Sequence, residues 1–427
     1  MPAIPATAGV TPERLAAARR AVVSSSIGAA LEWFDIIVYA SFAIVIAENF
    51  FPEGDSTLGL ILTFATFAIS YLVRPLGGMF LGSYGDRHGR KKALTVTLAL
   101  MMLGTLIMAI APTHALIGAW AGIIILISRL IQGFSAGGEF GTATTFLVET
   151  APHRKAYYAS WQVAAQGISM FLASAFGFAL FSWLTKDQLY SWGWRIPFIL
   201  GIFIGPVGLY IRSRLTETEE FERSEKHAAP IRAVFSTHLG RLLAASASIG
   251  VATISIYLIL YMPTFAVKSL HVTAGAAYLG GVVAGLVILV GTPFVGSLAD
   301  RVGPARLMLW AAVAALVLAW PLFQLIISTP TLPVFILVIT ALGILCALYF
   351  GPLPTLLTEI FPINVRTTGV GVAYNVGVTV MGGLAPLVLT WLLGITGALA
   401  APSFYYMAVA VISLIGLAVA KQKYHAR

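Results

Sequence analysis

Twelve long apolar stretches run through this chain of 427 residues. Most are close to the roughly 20 residues that a helix needs to cross a bilayer, and none alternates as a barrel strand does. Hydrophobic residues make up 59% of the chain and charged residues 10%, too little polar surface for a soluble protein. We predict an all-α membrane protein with twelve transmembrane helices, at residues 22–47, 58–83, 93–111, 116–146, 159–184, 194–212, 239–267, 276–299, 305–327, 333–357, 368–393 and 400–420.

Basic residues are distributed unevenly between the segments that connect these helices. With the N-terminus inside the cell, the inner segments hold 21 Lys and Arg residues and the outer loops hold three. Because positive residues accumulate on the cytoplasmic side, this bias predicts a multi-pass protein of the cell inner (plasma) membrane with both termini cytoplasmic. The net charge of +9 is explained by this topology and does not indicate nucleic-acid binding.

The two halves of the chain repeat. The segment from Gly82 to Asp86 recurs from Gly296 to Asp300, an offset of 214 residues. Glu149-Thr-Ala-Pro152 recurs as Glu359-Ile-Phe-Pro362, an offset of 210. We predict an N-terminal six-helix bundle at residues 1–212, a cytoplasmic linker at 213–238 and a C-terminal six-helix bundle at 239–427. Parallel repeats of this kind place a substrate site between two bundles that rock against each other.

Five charged residues lie well inside the predicted helices, away from the helix ends, and all belong to the first half: Glu32, Asp35, Arg74, Arg129 and Glu139. A charge at membrane depth costs several kcal/mol, so it usually faces a water-filled site or an ion path. Glu32 and Asp35 share one helix face, and two neighbouring carboxylates in a low dielectric do not both ionise easily. We favour a proton-carrying role for at least one of them over a structural pair with Arg74 or another helix.

The two arginines suit an anion. Arg129 lies near the middle of the fourth predicted helix, where its planar guanidinium could grip a substrate carboxylate with two hydrogen bonds. The alternative is an internal salt bridge to Glu139 or Asp35. Arg74 either contacts substrate or stabilises the bundle. Glu139, about 15 Å from Arg129 along the helix, either receives a proton moving inward or stabilises Arg74.

The second half has no charge near the middle of a predicted helix. Its Tyr257, Tyr349 and Asn375 could complete the substrate site with hydroxyl and amide groups, alongside Tyr39 and Gln132 of the first half. Taken singly, the second-half residues are more readily explained by ordinary helix packing.

Charged residues recur at the inner ends of the helices in both repeats. Ion pairs there could hold one face closed and break when it opens, which makes a two-state gate. Topology alone would explain the basic residues but not an aspartate at both repeat positions. The predicted gate consists of Asp86, Arg90 and Glu149, with Asp300, Arg301 and Glu359 as its counterpart.

These motifs resemble those of a known family. The segment from Gly82 to Lys92 is similar to the signature loop of the major facilitator superfamily. Glu32-Trp-Phe-Asp35, Arg74-Pro75 and Gln132–Glu139 resemble the metabolite:H+ symporters, which include citrate, α-ketoglutarate, shikimate and proline/betaine carriers. The resemblance implies symport by alternating access with H+ as the coupling ion; the residues alone leave Na+ open. One departure is Gly303-Pro-Ala-Arg306, where the family usually keeps a basic pair after the glycine.

We therefore predict a symporter that imports a di- or tricarboxylate such as citrate or α-ketoglutarate, and that functions as a monomer. A zwitterion such as proline or betaine is the alternative substrate. The chain has no sizeable soluble domain to suggest a receptor, and no metal cluster or nucleophile–base set to suggest an enzyme. Because all seven histidines fall in loops, tails or helix ends, no metal site is expected. We predict no cofactor.

Overall fold

The computed structural model describes residues 12–51, 56–213, 230–270 and 274–426. Every regular element in these ranges is helical, and twelve segments are long and apolar enough to cross a membrane. This confirms the predicted fold class and the number of spans. Residues 214–229 of the predicted linker lie outside the described ranges.

We number the membrane-crossing segments spans 1 to 12 in chain order; several consist of two to four consecutive helical pieces. Short helices at His114–Ile117, Lys186–Ser191 and Pro230–Ser236 lie between them. The spans are Pro12–Ser41 with Ala43–Phe50; Ser56–His88; Arg90–Ile110; Trp120–Thr150; Lys155–Trp183; Gly193–Arg195 with Ile196–Ser213; Leu239–Ser248 with Gly250–Ser269; Ala274–Val302; Pro304–Ser328; Leu332–Phe350 with Leu353–Ile360; Ile363–Val365 with Arg366–Val378, a π-helical turn at Thr379–Gly383 and Ala385–Thr396; and Ala401–Tyr424.

The helices extend beyond their apolar cores at one end. The prediction of a loop between spans 2 and 3 is wrong. Only Gly89 separates the two helices, and its φ is 109°. Gly303 makes the same break between spans 8 and 9, with φ at 98°. Charged side chains near both glycines, Asp86 and Asp300, accept hydrogen bonds from other helices, so spans 2 and 8 can continue beyond their apolar segments.

Spans 1–6 and 7–12 form two bundles that meet through spans 2 and 11 and through spans 5 and 8. Glycines permit this contact. A Cβ atom at Gly285 in span 8 would lie 2.5 Å from the backbone nitrogen of Phe171 in span 5. Within the first bundle, a Cβ at Gly137 would lie 2.0 Å from the backbone oxygen of Arg74. Gly137 therefore lets spans 2 and 4 pack with their backbones in contact.

The charged ends of spans 2, 3, 4 and 8 lie at one end of the molecule, which we call the motif face and define by Asp86, Arg90, Glu149 and Asp300. Both bundles contribute to hydrogen bonds there, so this face is closed.

Candidate functional site

Two buried ion pairs occupy the interior of the first bundle. Arg74 Nη1 lies 3.4 Å from Glu32 Oε1, and Arg129 Nη1 lies 3.9 Å from Asp35 Oδ2. Because the two carboxylates are three residues apart on span 1, one face of that helix meets both span 2 and span 4. None of the four residues is more than 6% exposed. The four charges predicted for the site therefore come together as two pairs.

Span 4 begins later and ends later than its apolar run predicts. Arg129 is nine residues from the start of the helix at Trp120, about 14 Å, and about 30 Å from Glu149. It therefore lies about six residues, roughly 9 Å, from the middle of the helix, on the side away from the motif face; the sequence placed it near the middle. The shift arises because the helix continues past its apolar core to Thr150.

Each guanidinium rests on a tyrosine ring. The Cζ of Arg74 lies 4.0 Å from the ring centre of Tyr71, and the Cζ of Arg129 lies 3.7 Å from that of Tyr39. The negative face of an aromatic ring attracts a cation, and the attraction is larger where water is absent. The hydroxyl of Tyr39 meets Thr66 Oγ1 at 2.6 Å, which fixes the ring under Arg129.

Several guanidinium N–H groups have no acceptor. Within the described ranges, Nε of Arg74 and both Nε and Nη2 of Arg129 donate no hydrogen bond. A buried donor without an acceptor costs about 1–3 kcal/mol, and more when it is charged. An anionic ligand would supply the missing acceptors, so this arrangement fits a carboxylate-binding site.

Gln132 connects to the second ion pair. Its Nε2 donates to Asp35 and lies 3.2 Å from Thr105 Oγ1, while its Oε1 has no hydrogen-bond partner among the described residues. The amide thus leaves one acceptor available beside Arg129. Sequence reasoning identified Gln132 but not Thr105.

Glu139 lies deeper, toward the motif face. Thr97 donates to its carboxylate, and Ser135 donates to the backbone oxygen of Thr97 at 2.5 Å. Glu139 and Glu32 line the same cavity of about 10 Å³, which is close to the space that one water molecule needs. The three carboxylates predicted to carry protons therefore form a column, from Asp35 through Glu32 to Glu139.

Two of the three second-half residues reach this site. The Tyr257 hydroxyl donates to that of Tyr71, and Asn375 Nδ2 donates to the backbone oxygen of Gly137 at 2.6 Å. Tyr349 does not, because its hydroxyl donates to the backbone oxygen of Ser248 within the second bundle. The prediction that Tyr349 lines the substrate site is not supported by this placement.

Aromatic rings line the boundary between the bundles. Ring centres of Trp33 and Tyr257 are 6.1 Å apart, and those of Tyr71 and Tyr257 are 5.6 Å apart. Phe140 and Tyr374 stack in parallel at 3.4 Å. Tyr71 could have been identified from the sequence, because it precedes Arg74 by one helical turn. The contacts of Tyr374 depend on the approach of two distant helices.

The first-half gate residues meet at the motif face. Arg90 lies 2.9 Å from Asp86 and 3.5 Å from Glu149, and Glu149 also lies 3.5 Å from Arg366 of the second bundle. Asp86 accepts hydrogen bonds from the backbone nitrogen and hydroxyl of Thr368, at 2.9 and 2.5 Å. The trio therefore joins both bundles through two residues that the prediction did not include.

The second-half residues are arranged differently. Asp300 accepts hydrogen bonds from the backbone nitrogens of Ala156 and Tyr157, at 2.8 and 3.0 Å, and so caps the start of span 5. Arg301 and Glu359 line a cavity beside it. Among the described residues, the ion pairs found at the motif face involve Arg90 and Arg366 rather than Arg301. The second trio is therefore no copy of the first, because Pro304 stands where the repeat offset places the equivalent of Arg90.

Comparisons with known proteins cover nearly the whole chain. A family model described as Major Facilitator Superfamily matches residues 25–386. The chain is 36% identical to a citrate-proton symporter of Klebsiella pneumoniae, covering 92% of this chain and 90% of that protein. It is 34% identical to a putative proline/betaine transporter of Staphylococcus haemolyticus, covering 94% and 87%. The structure of the proton:xylose symporter XylE superposes with a TM-score of 0.77 at 18% identity, covering 95% of both chains.

Proposed function

The chain belongs to the Major Facilitator Superfamily, and we propose that it is a proton-coupled symporter that imports a small organic acid with two or three carboxylates, such as citrate or α-ketoglutarate. Family membership makes it a membrane transporter and not an enzyme. The observation that carries the proposal is the pair of buried guanidinium groups whose N–H groups lack acceptors.

Substrate and protons would enter together because the substrate carboxylates and the protein carboxylates compete for the same two arginines. A substrate carboxylate that binds Arg129 takes the place of Asp35, and one that binds Arg74 takes the place of Glu32. A displaced carboxylate would be buried without its counter-charge, which is strongly unfavourable, so it binds a proton. Binding of the anion and protonation of the protein thereby favour each other.

This exchange links the number of protons to the number of carboxylates that touch the arginines. A substrate that engages both Arg74 and Arg129 displaces two carboxylates and takes up two protons. A substrate with one carboxylate displaces one and takes up one. On release, the proton of Glu32 passes toward Glu139, which lines the same cavity nearer the motif face.

We assign the motif face to the cytoplasm of the cell and the protein to the inner membrane as a monomer, in line with its basic inner segments. The two bundles then alternate around the arginine site, and the ion pairs of Arg90 and Arg366 break when the cytoplasmic side opens.

A zwitterion is the second candidate substrate, and one observation favours it. Trp33, Tyr71 and Tyr257 form a group of rings beside Arg74. Aromatic groups of this kind bind quaternary ammonium ions by cation–π attraction. Betaine could place its carboxylate on Arg74 and its trimethylammonium group against the rings, and relatives of this chain include proteins named as proline/betaine transporters.

Uptake into proteoliposomes tests both candidates. Radiolabelled citrate, α-ketoglutarate, proline and betaine are supplied with an alkaline interior, with the pH gradient collapsed by a protonophore, and with an inward Na+ gradient alone. We expect one of the two acids to accumulate only with the pH gradient. Accumulation of betaine or proline alone would replace the acid by the zwitterion. Accumulation that follows Na+ and ignores pH would contradict proton coupling.

A further inference from the structure

A second cavity opens at the motif face, well away from the arginine site. Its volume is about 610 Å³, within the range of small-molecule sites. We call it the vestibule and define it by Lys155 at the start of span 5, Arg301 and Arg306 on either side of Gly303, and Lys421 near the end of span 12. Lys155 belongs to the first bundle and the other three belong to the second.

The repeat explains why space is left there. In the first half, the guanidinium of Arg90 fills the gap between Asp86 and Glu149. In the second half, the equivalent positions are Pro304, Asp300 and Glu359, and all three line the vestibule. The cavity therefore lies where the second repeat lacks an arginine.

The lining is positively charged. Lys155, Arg301, Arg306 and Lys421 supply four positive charges, and Asp300 and Glu359 supply two negative ones. His153 also lines the cavity and adds no full charge near neutral pH, since partial burial and the adjacent Arg154 hold its pKa below the usual range. The vestibule thus carries a net charge of about +2.

A hydrogen-bonding group in the lining has no partner. Thr355 lines the vestibule and is 3% exposed, and its hydroxyl makes no hydrogen bond with any described residue. Buried hydroxyls are normally satisfied, and an unsatisfied one calls for an explanation such as an absent ligand or water.

We propose that the vestibule binds a small multivalent oxyanion, bearing phosphate or carboxylate groups, and that the bound anion holds the motif face closed. The lining comes from both bundles, so an anion can contact Lys155 and Lys421 together only while the bundles are close. A ligand that binds one state more tightly shifts the population toward that state. The vestibule is then an inhibitory site, separate from the transport site.

Inorganic phosphate is the probe for the experiment, with the full-length protein in phosphatidylcholine nanodiscs at constant ionic strength. Binding is measured by calorimetry. Closure is measured by fluorescence energy transfer between one label on each bundle at the motif face. We expect phosphate to increase the closed population of the wild type, and R306Q and K421Q to weaken phosphate binding at least tenfold. K423Q is the matched control, because Lys423 lies on the same helix and does not line the vestibule; it should bind as the wild type does.

A second set of nanodiscs containing phosphatidylglycerol distinguishes a lipid headgroup from a soluble anion. If a lipid phosphate occupies the vestibule, phosphatidylglycerol increases the closed population of the wild type and weakens its binding of free phosphate, but does neither in R306Q. If the ligand is soluble, phosphate binds the wild type equally in both membranes. Equal phosphate binding by R306Q, K421Q and K423Q would overturn the proposal. So would a closed population that responds to neither phosphate nor phosphatidylglycerol.

Discussion

The two bundles share one architecture but differ in what they bury. Within the described ranges, every buried charged side chain comes at or before residue 149, in the first bundle. The second bundle faces it with Tyr257, Tyr374, Asn375 and Thr379, which are uncharged and hydrogen-bond or stack across the boundary. A duplicated fold therefore does not require duplicated chemistry: one bundle holds the ions, and the other provides the surface that closes over them.

The same contrast holds at the motif face. In the first repeat a guanidinium links Asp86 and Glu149, whereas in the second repeat Pro304 leaves a cavity beside Asp300 and Glu359. The first contact is an ion-pair network that spans both bundles. The second is a helix cap, with Asp300 accepting from two backbone nitrogens of span 5. Opening this face should therefore depend more on the first repeat than on the second.

The largest expected effect tests whether coupling belongs to the first bundle. Asp35→Asn removes the group that must take a proton when substrate binds Arg129, so uphill uptake should fall at least a hundredfold while substrate exchange persists. The measurement is accumulation against exchange in proteoliposomes. Asp187→Asn is the control, because Asp187 lies in the exposed helix Lys186–Ser191. Full gradient-driven accumulation by Asp35→Asn would exclude this carboxylate as a proton carrier.

The next effect concerns affinity. Arg129→Lys keeps the charge but loses the planar guanidinium, which can make two parallel hydrogen bonds to a carboxylate. Losing one charge-assisted hydrogen bond costs about 1.5–3 kcal/mol of binding free energy. The Kd for a dicarboxylate should therefore rise roughly tenfold to hundredfold. Arg74→Lys should behave similarly for a substrate that engages both arginines. Calorimetry in detergent measures both variants against Arg19→Lys, a change at an exposed position. Unchanged Kd values in both variants would remove the anion site from the first bundle.

A matched pair of substitutions compares the two repeats at the motif face. Asp86→Asn weakens contacts to Arg90 and Thr368, and should raise the ratio of open to closed molecules about tenfold. Asp300→Asn weakens only a helix cap, worth about 1 kcal/mol, and should raise it about fivefold or less. Fluorescence energy transfer across the motif face measures both. An equal or larger effect of Asp300→Asn would contradict the asymmetry.

The smallest effect comes from making the repeats more alike. Pro304→Arg restores the residue type found at Arg90 and places it between Asp300 and Glu359. Surface ion pairs contribute about 0–1 kcal/mol, so we expect up to a fivefold gain in the closed population. The same substitution adds a positive charge to the vestibule and should strengthen its binding of phosphate. Unchanged phosphate affinity would show that the arginine does not enter the cavity.

Local sequence properties were sufficient for the spans and for the charges at the site. Hydropathy gives the spans because lipid forces each run of about 20 residues into a helix. Glu32 and Asp35 could be placed on one face because both belong to a single helix. The partner of each depended on distance in space: the sequence left Arg129 open between Asp35 and Glu139, and the structure pairs it with Asp35.

Contacts between distant segments could not be predicted in the same way. Thr368 meets Asp86 across 282 residues, and no local pattern marks it as the partner. The sequence suggested that Tyr349 lines the substrate site. Its orientation on span 10 instead directs its hydroxyl to the backbone oxygen of Ser248. The vestibule likewise depends on how span 5 approaches spans 8 and 12, although the departure at Pro304 was visible in the sequence.

The glycine contacts between spans 5 and 8 bear on how easily the bundles can move. Side chains that interlock must disengage before two helices slide, and each disengagement adds to the barrier. Gly285 lies against the backbone of Phe171, and Gly167 lies against the backbone of Leu289. At these contacts no interlocking side chain has to disengage. The contact between spans 5 and 8 should therefore add little to the barrier for movement of one bundle against the other. It also tolerates no added methyl group, so natural variation at these glycines should be narrower than at the charged residues that perform the chemistry.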